Sequence, residues 1–490
     1  MTTYTKQASI KLRRGLDGEI TTLSTSATLG VGGEATVYSF PHDESLAAKV
    51  YLKPTDDHAR KLAVMCANPP AEGRPSGKEF PLAWPVDILH SADRKRRVVG
   101  YLMPRMEGMA PIINVYTLQA RLRYRPRFTY QHLLRTGQNL AQAVSTVHAT
   151  TYIIGDLNFT NVFVSEEARV TLIDTDSFQV RDPDSGEIYR CPVFTPDFTP
   201  PELQGDADTL TDRTKEHDLL SLGVLMFLLL TGGGHPFAGS YQDEDDPPPI
   251  TDRIRDGHFP YSVRRQVPYR PTAVALPFDI LAPGLRNLFL QCFEDGHDNP
   301  GTRPTAQAWQ EALAEAEQDL VTCAANQQHK YGSHLSSCPW CERTVQLGGR
   351  DPFPSQEVVD AGQHIKPMEV RQTLPTDWNP EWEGQQQTRQ YRPMGRGLTP
   401  DSKFWIGLAV ILWLGIPVWS LAAFTVPSLI VLAVLIYGIS AIMVPWGLFS
   451  SVGWRRTLVF AKGSRWMVAS GVGSIGGGVL IAVISYIALS

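Results

Sequence analysis

Between residues 27 and 53, short β-type runs alternate with a glycine cluster: Ala27-Thr28-Leu29, then Gly30 to Gly33, then Ala35-Thr36-Val37-Tyr38, then Leu46 to Tyr51. Runs of this kind bounded by turn residues predict a strand, a tight turn and two further strands. From 131 to 148 the apolar positions Leu133, Leu134, Leu140, Ala143, Val144 and Val147 fall at helical spacing and lead into Ile153-Ile154-Gly155-Asp156. This predicts a buried helix that delivers the chain to a loop. Residues 218 to 230 (DLLSLGVLMFLLL) are too short to cross a bilayer and read as a core helix. After Arg343 the pattern dissolves, and Gln, Pro, Gly and Arg without periodicity predict a flexible linker over 346–402.

The last part of the chain behaves differently. No charged residue occurs from Phe404 to Trp454 or from Trp466 to Ser490. A spanning helix needs about 20 apolar residues, so three transmembrane helices are expected, at about 404–424, 428–450 and 466–489, with Pro427-Ser428 as a turn. Arg389, Arg392, Arg396 and Lys403 precede the first span, and Arg455, Arg456, Lys462 and Arg465 fill the second loop. The positive-inside rule puts both basic flanks in the cytosol and the C-terminus outside.

Composition sharpens this picture. A chain of 490 residues suggests two or three folded units. A net charge of −5 without a long basic stripe gives no reason to expect a nucleic-acid partner. The opening residues carry no apolar stretch, so no secretory signal is expected and the N-terminus is placed in the cytosol. Six cysteines in so long a chain do not form a disulfide framework.

The candidate chemistry sits in the soluble part. Gly30, Gly32 and Gly33 lie between predicted strands, where bare backbone can approach phosphate oxygens, although such a run can also be a plain turn. Lys49 ends the next strand, within reach of the same phosphates. Further on come Gly155-Asp156-Leu157-Asn158-Phe159-Thr160-Asn161 and Leu172-Ile173-Asp174. Phosphoryl transfer needs a carboxylate to orient the attacking hydroxyl and oxygen ligands for Mg²⁺. Asp156 suits the first role, and Asn161 with Asp174 the second.

Taken in order, these residues resemble the protein-kinase superfamily, of the bacterial Ser/Thr kinase kind, over roughly residues 23–318. Gly30 and Gly32 match the glycine-rich loop, Lys49 the strand lysine, Asp156 and Asn161 the catalytic loop, and Asp174 the magnesium aspartate. Pro201-Glu202, Asp218 to Gly223 and Arg303-Pro304-Thr305 resemble the segment end, the buried helix and its paired arginine. The resemblance implies an α+β, bilobal kinase-like domain, with an N-lobe at 23–113 after a 1–22 segment and a C-lobe at 114–320. It also implies ATP as nucleotide, with adenine against Gly100 to Met106 and Met103 and Met106 as contacts; that run can equally be an ordinary strand. Departures are Ala35 at the third glycine, Ile154-Gly155 before the catalytic aspartate, Asn158 at the usual lysine, and Asp174-Thr175-Asp176 at the magnesium motif. No acidic residue occurs between 58 and 70 to pair with Lys49, and Asp56, Asp57 and Glu79 fit that role poorly. An active Ser/Thr kinase acting on protein substrates, an ATP-binding pseudokinase and a membrane scaffold all remain open.

Cys323, His329, His334, Cys338 and Cys341 fall within nineteen residues. This donor set suits structural, four-coordinate Zn²⁺ in a knuckle over 321–345; a redox pair and a coincidental cluster are the rival readings. Four ligands suffice, so one histidine is spare; His329 is favoured and the choice stays open. The Cys338-Pro339-Trp340-Cys341 segment resembles the tail of a group of bacterial kinase-like proteins, some called helix-hairpin-helix kinases. That resemblance implies phosphatase and von Willebrand A-type partners, with the chain in the bacterial inner membrane.

Overall fold

The computed structural model describes residues 9–70, 81–204, 211–244 and 246–365. The chain divides into two compact units, Met1–Pro393 and Met394–Ser490. The second unit, and with it the three predicted spans, lies outside the described residues. Among the described residues no helix is long and apolar enough to cross a membrane.

The first unit begins with a seven-stranded antiparallel sheet ordered β2-β1-β6-β7-β5-β4-β3. Its strands are β1 (Ser9–Arg14), β2 (Ile20–Ser24), β3 (Thr28–Val31), β4 (Ala35–Ser39), β5 (Leu46–Tyr51), β6 (Asp87–Ser91) and β7 (Val98–Pro104). The segment before residue 23 therefore builds the first strand pair of this sheet. Alternate side chains point to opposite faces of a strand, and β5 uses both. Ala48 packs with Leu12, Leu23, Phe40, Leu89 and Leu102 on one face. Tyr51 packs with Ala35, Leu62 and Tyr101 on the other. Lys49 shares that second face and pairs across the ladder with Tyr101.

Helix α1 (Asp56–Ala67) covers the second face. Its start is set by Thr55, whose side chain accepts from His58 N while His58 Nδ1 accepts from Thr55 N, a reciprocal cap. It buries Lys61, Leu62 and Met65.

Below the sheet lies the larger core. A three-stranded sheet, β8 (Ala110–Pro111), β9 (Val162–Val164) and β10 (Val170–Leu172), leads into it. The short helices α2 (Ile113–Tyr116) and α3 (Leu118–Tyr124) precede α4 (Tyr130–His148), and α5 (Lys215–Thr231) runs through the centre. Every residue of α5 from Asp218 to Leu230 is buried. The helix Ala306–Gln318 packs along α4, and Gly137 permits the approach, since a Cβ there would sit 3.0 Å from Leu313 Cδ1. The knuckle follows as a hairpin, Leu320–Thr322 with Lys330–Gly332, and a helix, Pro339–Gln346. The chain placed at the start of the linker packs back on this knuckle: Phe353 is buried against Trp340 and Tyr130.

Candidate active site and metal centre

The glycine cluster forms the tip of the β3–β4 hairpin. Gly30 pairs with Val37, and Gly32 N donates to Ala35 O at 2.8 Å. A Cβ at Gly30 would meet nothing within 4 Å, so the space above the loop is open. Of the connector, Gly100 to Pro104 is strand and Met103 pairs with Ala47 on β5. Met106 is half-buried in the crossing to β8.

Lys49 reaches across the cleft to the other lobe. Its Nζ lies 2.5 Å from Asp174 Oδ1 and 2.5 Å from Asp176 Oδ1. Burial disfavours its charge, but the two carboxylates outweigh this and hold its pKa above the ordinary lysine value. Asp174 follows β10 in the left-handed region at φ 59. That turn is pinned by Ser177 N and Ser177 Oγ, both donating to Asp174 O, and by Thr175 Oγ1 donating to Ala83 O at 2.9 Å. Burial pushes the Asp176 carboxyl up, yet the charge and hydrogen bond of Lys49 hold it down at about 2.

The loop carrying Asp156 is braced from below and within. Asp218 of α5 accepts from Ile154 N and Gly155 N, both at 2.8 Å, and from His148 Nε2 at 2.9 Å. Asn158 Nδ2 and Asn161 Nδ2 both donate to Asp156 O, at 3.1 and 3.0 Å, and Asn158 Oδ1 accepts from Thr160 N. Asn158, at the position of the usual lysine, is thus a fully buried brace. Gly155 adopts φ +77 with Cys191 packed on it: a Cβ would come 2.7 Å from Cys191 Cβ. No larger residue fits there, which accounts for the missing arginine before Asp156. At the end of the same segment Glu202 receives both Nη atoms of Arg303, at 2.7 and 2.8 Å, and Arg303 Nη1 also donates to Glu216 O.

The sequence has relatives among known proteins. Two relatives named protein kinase YegI, from Escherichia coli strain K12 and E. coli O157:H7, are 34% and 33% identical to the chain. The matches cover 66% and 64% of this chain and 49% and 48% of the relatives. Over the matched residues the chain is similar to these protein kinases. It spans about half the length of the curated relatives it matches. The meiosis-specific serine/threonine-protein kinase mek1 of Schizosaccharomyces pombe is 31% identical over 21% of this chain and 26% of its own. No family model matches.

The segment over 321–345 gathers four of the five candidate ligands. Cys323, His329, Cys338 and Cys341 place their ligand atoms within 4.8 Å of one another. Tetrahedral zinc, with Zn–S about 2.3 Å and Zn–N about 2.0–2.1 Å, sets sulfurs roughly 3.8 Å apart and sulfur to nitrogen roughly 3.5 Å. The Cys323–Cys341 Sγ separation is 3.7 Å, and His329 Nδ1 is 3.5 Å from both Cys338 Sγ and Cys341 Sγ. The residues fit the ion. His334 does not take part; its Nε2 bonds Asp279 O at 3.0 Å, so among the five it is the spare one. Spacing could not decide this, because both histidines lie in the hairpin region and only the fold orients them.

Several site residues escaped the sequence reading. Asp176 was seen only as a departure from the magnesium motif. Tyr51 and Tyr101 carry no signal in the sequence beyond their strands, yet their hydroxyls donate to Asp176 Oδ2 at 2.8 Å and Oδ1 at 2.7 Å. Asp351 Oδ1 lies 2.8 Å from His329 Nε2. A carboxylate on the far ring nitrogen fixes the tautomer that leaves Nδ1 for a metal.

Proposed function

We propose that the chain is a Ser/Thr protein kinase that transfers the γ-phosphate of ATP to protein hydroxyls, with its kinase-like domain tethered to a bacterial membrane. The observation that carries this reading is the meeting of Lys49 with Asp174, 125 residues apart in sequence and 2.5 Å apart in space, beside a loop whose brace is built around Asp156. Lys49 steadies the α- and β-phosphates and the open hairpin tip at Gly30, Gly32 and Gly33 covers them. Asp156 orients the attacking hydroxyl and takes its proton. Asn161 and Asp174 would hold Mg²⁺, which would supply positive charge to offset that developing on the transferred phosphoryl group. Met103 and Met106 border the adenine. The names of the relatives support the kinase assignment.

The zinc knuckle is structural in this reading, since four protein ligands leave no open position for catalysis. Tethering rests on the three uncharged stretches at 404–424, 428–450 and 466–489 and their basic flanks. Phosphatase and von Willebrand A-type partners follow from the tail resemblance and fit a phosphosignalling role.

The test uses the purified full-length chain with Mg-ATP and a generic protein acceptor, beside Asp156→Ala and Asp174→Ala. Incorporation in the parent and its collapse in both variants is the expected result. Equal signal from all three discards catalysis. Nucleotide-dependent thermal stabilisation without turnover would instead identify an ATP-binding pseudokinase.

A further inference from the structure

A lysine that steadies phosphates must be aimed by a carboxylate that is not itself needed by the metal. Two acids touch Lys49, and their surroundings divide the labour between them. The Asp174 side chain is one-third exposed to the cleft, whereas that of Asp176 is only 10% exposed. Both oxygens of Asp176 are engaged: Oδ1 by Lys49 and the Tyr101 hydroxyl, Oδ2 by the Tyr51 hydroxyl. Tyr51 lies two residues from Lys49 on β5, and Tyr101 lies directly opposite Lys49 on β7. The two strands thus carry a socket that grips one carboxylate beside the lysine amine. Asp174 is free to turn to a metal; Asp176 is not.

We propose that Asp176 is the positioning residue of the nucleotide site, holding Lys49 where α1 offers no buried acid, its Asp56 and Asp57 lying exposed in the first turn. The proposal deepens the ATP-binding reading above and rests on it. The helix itself supports it by the sign of its charge. Lys61 is the buried charged residue of α1; burial lowers its pKa, and Asp176 and Asp174 act against this. A lysine there repels Lys49 and cannot supply the grip that a carboxylate gives. Both acids belong to one turn, Asp174 to Ser177, whose backbone is fixed by its own hydrogen bonds and by Ala83. Lysine positioning and magnesium binding are therefore coupled in a single three-residue unit, and the site is assembled without a helix switch.

The experiment is a double-mutant cycle on the full-length chain, comparing Asp176→Asn with and without Lys49→Ala and reading Mg-ATP affinity by displacement of a fluorescent ATP analogue. In the parent background Asp176→Asn weakens binding about ten- to a hundredfold, the worth of a hydrogen bond between charged groups. In the Lys49→Ala background the same change costs less than about twofold, because the residue acts through the missing amine. An equal loss in both backgrounds overturns the proposal, as does no loss in either. Tyr51→Phe is the second variant, in case Asp176→Asn fails to fold. It removes one hydroxyl from Asp176, and the expected outcome is a smaller loss that also vanishes without Lys49; a loss that persists overturns the proposal. Coupled binding without phosphate transfer would sink the kinase reading and leave this one standing. Transfer without coupling would do the reverse, and a parent chain that binds no Mg-ATP would end both.

Discussion

Gly155 shows how a single position can set what a site is able to do. Its φ of +77 disfavours any side chain, and the Cys191 thiol closes the remaining space. Gly155→Ala should destabilise the domain by about 2–5 kcal/mol from backbone strain and overpacking. Denaturant unfolding of Gly155→Ala with and without Cys191→Ala separates the two causes. The expected result is a smaller cost when Cys191 is shortened; the same cost in both backgrounds would show that contact with Cys191 is not the constraint. Burial pushes the Cys191 thiol up to about 12, so it acts there as a small packed group. The sequence displayed the absence of an arginine before Asp156 but not its reason, because the reason lies 36 residues further along. Asp176 is the same kind of case. Lys49, Asp156, Asn161 and Asp174 were legible because each sits in a local pattern with its own spacing, whereas the grip on Lys49 depends on two strands and a turn meeting in space.

At the scale of elements, burial patterns told more than residue identities. The run from 218 to 230 is apolar on all sides, and the structure places it as α5, the central helix, because a helix with no polar face must be surrounded. Its one buried carboxylate, Asp218, reaches the backbone of the loop before Asp156, so the helix both fills the core and fixes the loop. The Glu202–Arg303 pair joins the end of the 174–202 segment to the helical region behind it. Burial alone would raise the Glu202 carboxyl, but Arg303 holds it below its ordinary value. A carboxyl depressed in the folded state contributes stability that is complete above the ordinary glutamate range and is lost as pH falls through and below it. Glu202→Gln should therefore cost about 1.5–3 kcal/mol near neutral pH, because Arg303 loses its charged partner while keeping its bonds to Gly296 O and Glu216 O. The gap to the parent should narrow in denaturant melts as pH is lowered from about 6 to about 3. A gap that stays constant would mean that the pair does not titrate with folding.

For the molecule as a whole, the question is whether the knuckle is an appendage or part of the domain. The sequence drew a boundary near 345 because periodicity ends there, yet the described chain continues into contacts that periodicity cannot register. Arg121, buried behind α2, sets its guanidinium 4.7 Å from the Phe353 ring and donates to Val115 O. Trp340 packs on Tyr130 at 4.9 Å and on Phe353 at 4.8 Å, and both Trp340 and Phe353 belong to the main core. Asp351 ties this strap to His329, so the ligand cluster and the core share one set of contacts. Stripping zinc with a chelator should therefore lower the melting temperature of the entire described domain in one cooperative step, with a change in Trp340 fluorescence on the same curve. A separate low-temperature transition that leaves the main melt unmoved would show an independent module. Metal content measured on purified variants adds a second check. His334→Ala should keep about one zinc per chain, His329→Ala should lose it, and Asp351→Asn should weaken zinc affinity about 10–100-fold, the usual effect of removing a carboxylate behind a ligating histidine. Retention of full affinity by Asp351→Asn would mean that the strap is held by packing alone, and the single melt would then have to come from Trp340 and Phe353 without help from the metal.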